Sequence, residues 1–233
     1  MKPLIVANWK MNPTNSKEAL DLALEVAKGV KGLDADVVLC PPFVYIPQLV
    51  PSENVFIGAQ DCFWENKGAY TGEVSPQMLK NLGCTYVVLG HSERRQLGET
   101  LAMVNQKVKA ALSAGLFPIV CIGEEVEKEM SIVFQGIENW KLEIKNLILV
   151  YEPLWAISTS PNGHPATPAD MRRAVGSIRR FVLGGTPILY GGSVDSGNIR
   201  SFLGSDLAQG ALVGAASLNA KEFVSLVKNV AMG

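Results

Sequence analysis

Leu147-Ile148-Leu149-Val150-Tyr151-Glu152-Pro153-Leu154-Trp155-Ala156-Ile157 sets one carboxylate directly after an uninterrupted apolar run. A strand buried on both faces of a parallel sheet reads as such a run, and α/β proteins build their sites at the carboxyl ends of those strands. Glu152 therefore reads as a placed base. The segment after it, Ser158-Thr159-Ser160-Pro161-Asn162-Gly163-His164-Pro165-Ala166-Thr167, is a proline-rich loop that ends in a helix start.

The same kind of run recurs on both sides of this stretch. It appears at Leu4 to Ala7, Val37 to Cys40, Val55 to Ala59, Tyr86 to Leu89, Phe117 to Ile122, Ile188 to Tyr190 and Ala211 to Val213, which with Leu147 to Tyr151 makes eight. Over 233 residues this gives about 29 residues per unit, the length of a strand, a helix and their connections. Helical patterns lie between the runs. Asn15 and Glu18 match a capping box ahead of Leu20, Ala23, Leu24 and Ala27. Thr100 precedes Leu101, Val104, Val108 and Leu112, with Gly115 as the stop. Thr167 followed by Pro168 suits an N-cap and first helical position. No linker or low-complexity stretch divides the chain, so one domain over residues 1–233 is expected. Among the 22 glycines no two stand two residues apart, so the dinucleotide fingerprint G-x-G-x-x-G of a doubly wound sheet cannot occur. Eight alternating units point to a (β/α)8 barrel.

Composition narrows the function. A hydrophobic content of 48% supports a large core, and a net charge of -1 from 21 basic and 22 acidic residues, mixed along the chain, gives no stripe for nucleic acid. No apolar stretch reaches membrane-spanning length, and the N-terminal run is too short for a signal peptide, so a cytoplasmic protein is expected. Cys40, Cys62, Cys84 and Cys121 are widely spaced and read as buried, reduced thiols. With His91 and His164 as the only histidines, no metal site is expected.

In a barrel the chemistry sits on the loops after the strands, with phosphate often held after strands seven and eight. After strand one come Asn8-Trp9-Lys10-Met11-Asn12, where a period of two would turn Asn8 and Lys10 to the same side. After strand four come Gly90-His91-Ser92-Glu93-Arg94-Arg95; the imidazole can donate to a substrate oxygen, and ion pairs between Glu93 and the two arginines are expected. Taken singly, a surface lysine is an equal reading of Lys10, and a lone histidine is more often structural than catalytic. After strand seven come Tyr190-Gly191-Gly192-Ser193-Val194 and after strand eight Val213-Gly214-Ala215-Ala216-Ser217, whose small residues let main-chain amides approach a phosphate.

These motifs, in this order, resemble triosephosphate isomerase, as do Gly58-Ala59-Gln60-Asp61 and Gly68-Ala69-Tyr70-Thr71-Gly72-Glu73. The resemblance spans nearly the whole chain. It implies interconversion of dihydroxyacetone phosphate and D-glyceraldehyde 3-phosphate, in glycolysis and gluconeogenesis, with no metal and no organic cofactor. Glu152 would move the proton through an enediolate and neutral His91 would stabilise the oxyanion, with Lys10, Asn8 and Glu93 completing the catalytic set. A donor of this kind in a water-free cleft is worth roughly 3 kcal/mol of barrier. By the same resemblance, main-chain groups at Ser158, Ser193, Gly214 and Ala215 hold the phosphate, and Thr71 and Glu73 belong to the interface of a homodimer, to which Phe63, Trp64 and Tyr70 also point. The chain departs from the family pattern in three ways: Ser158 and Ser160 replace the lid glycines, Ala215 replaces a glycine, and the outer helices around units 5 and 6–7 are shortened. The departures leave an alternative, a barrel that binds a phosphorylated ligand or a partner with impaired turnover because of its lid.

Overall fold

The computed structural model describes residues 2–137, 146–156, 166–182 and 185–231. Eight parallel strands follow one another in chain order around a closed barrel: β1 (Leu4–Asn8), β2 (Asp36–Cys40), β3 (Val55–Ala59), β4 (Tyr86–Leu89), β5 (Phe117–Ile122), β6 (Ile148–Tyr151), β7 (Ile188–Tyr190) and β8 (Gly210–Val213). The ring closes where Leu4 to Ala7 pair with Gly210 to Val213. Each apolar run of the sequence is thus a strand, with ends that differ by at most one residue.

Alternation along the strands divides the core in two. Leu4, Val6, Val38, Val88, Ile119, Val150 and Leu212 point into the barrel, while Ile5, Ala7, Val37, Leu39, Val87 and Leu149 face the helices. At the amino ends, Phe56, Tyr86 and Phe117 meet edge to face, with centroids 5.8 and 5.4 Å apart, and plug that end of the barrel. The site can therefore open only at the carboxyl ends.

The described helices are α1 (Ser16–Val30), α2 (Pro76–Asn81), α3 (Ser92–Gln96), α4 (Leu101–Ser113), α5 (Val126–Val133), α6 (Pro168–Arg179) and α7 (Ala220–Ala231). Short 3-10 turns, Phe43–Gln48 and Ile199–Phe202, follow β2 and β7. In units 5 and 6–7, where shortening is expected, α5 has eight residues and α6 stops nine positions before β7. Asn15 caps α1 through the Glu18 amide, and Thr100 caps α4 through Met103. Thr167 and Asp170 form a reciprocal capping box on α6.

The face assigned to α1 is corrected. Ala19, Ala23, Val26 and Val30 are buried, whereas Leu20 and Leu24 are exposed. The helix also lies close on α7, where a Cβ at Gly29 would stand 2.5 Å from Val224. A second surprise is Lys107 on α4, which is 2% exposed between Asp61 and Glu99.

Candidate active site

Asn8, Lys10, His91, Glu152, Ser193, Gly214 and Ala215 line one cavity of about 260 Å³ at the carboxyl ends of the strands. They arrive there from five strand ends, those of β1, β4, β6, β7 and β8, brought together by closure of the barrel.

β6 leads into Glu152. Glu152 follows Tyr151, is 1% exposed, and its amide donates to the Ile122 carbonyl at 2.9 Å, so its backbone continues the sheet. Both carboxylate oxygens are engaged by the residue after His91: the Ser92 amide donates to Oε2 and the Ser92 hydroxyl to Oε1, each at 2.8 Å. His91 Nε2 lies 3.1 Å from Oε1. A buried carboxylate needs donors of this kind to offset its lost hydration.

The orientation of His91 has a local cause. As N-cap of α3, its Nδ1 accepts from the Glu93 amide at 3.2 Å. A nitrogen that accepts carries no proton, which leaves Nε2 as the N–H of the neutral ring, directed at Glu152 and the cavity.

Lys10 reaches the mouth by a route that period-two spacing does not describe. β1 ends at Asn8, and Lys10 adopts φ 53, in the left-handed region that side chains rarely enter. Three bonds hold it there. Its amide donates to Asn8 Oδ1 at 3.0 Å, and its carbonyl accepts from Gln60 Nε2 at 2.8 Å, a group that also donates to Cys40 at 2.8 Å. The stem then crosses Gly214, where a Cβ would stand 3.2 Å from Lys10 Cε, and Nζ meets Glu93 Oε1 at 2.6 Å. Gln60 and Ser92 are supports that strand-end inspection missed; only a polar residue at the first position beyond β3 and another beyond His91 signalled them.

The ion pairs expected between Glu93 and its two arginines do not form. Glu93 takes Lys10, Arg94 reaches Asp61 at 2.9 Å, and Arg95 reaches buried Glu129 at 2.8 Å. The helical turn of α3 fans these side chains to different neighbours.

On the phosphate side, Ser193 lines the cavity, but its amide and hydroxyl each donate to the Ala156 carbonyl at 3.0 Å. Gly214 and Ala215 open the 3-10 turn Ala215–Leu218, where main-chain amides lack partners within the turn. The Gly191-Gly192 pair also answers to packing: a Cβ at Gly192 would fall 2.1 Å from the Tyr190 hydroxyl, and one at Gly191 2.6 Å from Val150. Ser158 and most of the loop after Ala156 lie outside the described residues.

The four cysteines are buried, and none lines the cavity. Burial pushes Cys40, Cys62 and Cys121 up, the last also through nearby Glu152, and raises Cys84 to about 11. All four are free. Such thiols behave as small apolar groups, not as nucleophiles.

The family model described as triosephosphate isomerase matches residues 3–230. A triosephosphate isomerase of Thermoanaerobacter pseudethanolicus is 44% identical over 248 aligned residues, covering 97% of this chain and 98% of that protein. One of Dehalococcoides mccartyi is 44% identical over 258, covering 100% and 98%. One of Dictyoglomus thermophilum is 40% identical over 252, covering 98% and 99%. With the barrel closed, the strand ends gathered in one cavity and the whole length matched, the chain belongs to the triosephosphate isomerase family.

Proposed function

We propose that this chain is an isomerase that interconverts dihydroxyacetone phosphate and D-glyceraldehyde 3-phosphate, in glycolysis and gluconeogenesis, with Glu152 as the base and His91 as the electrophile. The 3.1 Å approach of His91 Nε2 to Glu152, in a cavity shared with Lys10, carries the reading. A base, a neutral donor and a cation around one small space suit proton removal next to a carbonyl. Glu152 takes a proton from one substrate carbon as the electron pair moves to the carbonyl oxygen; it then delivers a proton to the neighbouring carbon while the hydroxyl proton passes from one oxygen to the other, so nothing is consumed. His91 Nε2–H hydrogen-bonds the developing oxyanion, and Lys10 supplies fixed positive charge held in place by Glu93. Asn8 orients both Lys10 and the substrate.

Because both oxygens of Glu152 are engaged by Ser92, the carboxylate leaves Ser92 to reach a carbon. The Ser193 amide likewise exchanges the Ala156 carbonyl for a phosphate oxygen, joined by Gly214 and Ala215. The resemblance alone assigns Ser158 a further phosphate contact. A barrel that only binds has no use for a base facing an imidazole, so the binding-only alternative is not favoured.

The remaining parts of the reading are a single domain over residues 1–233, a cytoplasmic location and a homodimer. No described helix is long and apolar enough to cross a membrane. For the dimer, support comes from apolar side chains on neighbouring strand-end loops: Met11 is 89% exposed, with Val44, Tyr70 and Met78 also exposed. Within the loop after β3, Phe63 stacks on Trp64 at 3.9 Å and contacts Tyr70 at 4.7 Å, which buries Phe63 and leaves Tyr70 to a partner. Thr71 and Glu73 are exposed beside it.

A coupled assay from glyceraldehyde 3-phosphate tests the chemistry. Glu152→Gln should lower kcat by about a thousandfold or more, and His91→Gln by about a hundredfold or more. An undiminished Glu152→Gln rate would remove the base. Sedimentation tests the dimer: wild type runs as a dimer at micromolar concentration and Thr71→Arg as a monomer, and a monomeric wild type would refute the interface.

A further inference from the structure

Four carboxylates are buried among the described residues: Asp61, Glu99, Glu129 and Glu152. Asp61 and Glu99 close on Lys107, and Glu152 lines the cavity, which leaves Glu129 of α5 with no part in the chemistry above. Taking a carboxylate out of water is costly, and a buried ion pair gains little net stability over apolar residues of equal volume. A charge kept inside a helix of eight residues calls for another reason, and its partners supply one.

Glu129 Oε2 accepts from two separate segments. Arg95 Nη1 of α3 donates to it at 2.8 Å, and so does the amide of Gly123, the first residue past β5, also at 2.8 Å. The junction is tight. A Cβ at Gly123 would stand 2.8 Å from Glu129 Oε1 and 3.0 Å from Arg95 Nη2, so glycine is what fits there. Asn105 of α4 donates to the Val133 and Gln135 carbonyls and pins the other end of α5.

These two segments are the ones that grip Glu152. α3 has His91 as its N-cap and begins with Ser92, which holds the carboxylate; β5 ends at Ile122, whose carbonyl accepts from the Glu152 amide at 2.9 Å. Strand pairing does not fix their separation. The β4–β5 register stops at Leu89 and Val120, short of His91, Ser92 and Ile122, and beyond that point Glu129 ties one segment to the other.

We propose that Glu129 is a positioning residue for the isomerisation: by joining Arg95 to the Gly123 amide it sets the spacing of His91 and Ser92 from the end of β5, and so the place of Glu152 against His91. The inference rests on the reading of Glu152 as the base. Glu129 does not line the cavity, so it acts only through the segments it joins, and the residues that line the phosphate side after β7 and β8 are not among its partners.

The test is steady-state kinetics with glyceraldehyde 3-phosphate on the full-length protein, beside amide hydrogen exchange at Ser92 followed by NMR. Glu129→Asp keeps the charge but shortens the arm by one methylene, so it cannot meet Arg95 and Gly123 together. Glu129→Gln keeps the length, and an oxygen for the Gly123 amide, but weakens the hold on Arg95. Glu129→Asp should lower kcat about tenfold with KM within about twofold of wild type, and Ser92 exchange should quicken about tenfold. Glu129→Gln should lose about threefold in kcat. A role in stability alone would lower the unfolding midpoint and leave kcat untouched, so wild-type kcat and Ser92 exchange in the folded variants overturn the proposal, as does a loss confined to KM. A wild type without turnover, with Ser92 exchange still quickened in Glu129→Asp, would instead refute the isomerase reading and leave the tie between α3 and β5 standing.

Discussion

Ser92 holds both oxygens of Glu152, the amide on Oε2 and the hydroxyl on Oε1, each at 2.8 Å. The residue that follows His91 thus sets the resting position of the Glu152 carboxylate, and α3 couples the two. Loss of a hydrogen bond to a buried charge costs about 1.5–3 kcal/mol. Ser92→Ala should lower unfolding free energy in urea by about 2 kcal/mol, while turnover persists because Glu152 and His91 remain. Unchanged stability would mean that Glu152 rests elsewhere in solution.

Gln60 fastens the left-handed backbone of Lys10 and touches β2 with the same amide group. Gln60→Ala should release that strain and let the ammonium drift. The expected loss is about tenfold in kcat/KM, since a misplacement of about 1 Å is costly in a preorganised site. Lys10→Arg in the same background should not restore it, because the defect is in the main chain. A Gln60→Ala enzyme with wild-type kcat/KM would show that the Asn8 contact alone suffices.

Lys107 sits between the carboxylates of Asp61 and Glu99, with Arg94 also on Asp61. All of these except Arg94 are buried. Removing one partner from a buried pair leaves uncompensated charge, at a cost of about 3–5 kcal/mol. Lys107→Met should therefore destabilise by that amount in chemical denaturation, although it adds apolar volume to the core. A stable Lys107→Met protein would show that water reaches the carboxylates.

Burial raises Cys84 from 9.0 to about 11, and Cys40, Cys62, Cys121, Tyr86, Tyr151 and Tyr190 also rise. The folded chain then keeps protons that the unfolded chain gives up. This stability is complete below about pH 9 and declines as pH climbs toward the folded values, with Cys84 alone accounting for about 2 kcal/mol by pH 11. Unfolding free energy measured from pH 8 to 11 should fall, and Cys84→Ala should flatten the fall by one group. A level profile would contradict the burial of these groups.

The barrel and the side chains gathered at its open end were legible without coordinates because they obey local rules. Apolar runs of strand length recur at regular intervals, and Glu152 and His91 stand at their ends, where the direction of the chain alone sends them to the open face. Helix caps at Asn15, Thr100 and Thr167 were equally plain, since a cap is a contact between near neighbours in sequence.

What stayed hidden was decided by contacts between distant segments. Leu20 and Leu24 look like the core face of α1, but the helix turns Ala19, Ala23, Val26 and Val30 inward and sets Gly29 against Val224 of α7. Lys107 was not singled out by any local pattern, and its burial follows from Asp61 and Glu99 closing around it. Lys10 leaves the strand's alternation because Gln60, fifty residues on, holds its carbonyl. Periodicity reports which side a residue faces relative to its own element, and local chemistry reports how an element begins. Neither reports how closely two elements approach, and that distance settles which side chains are buried, which charges are paired and where a strained backbone is held.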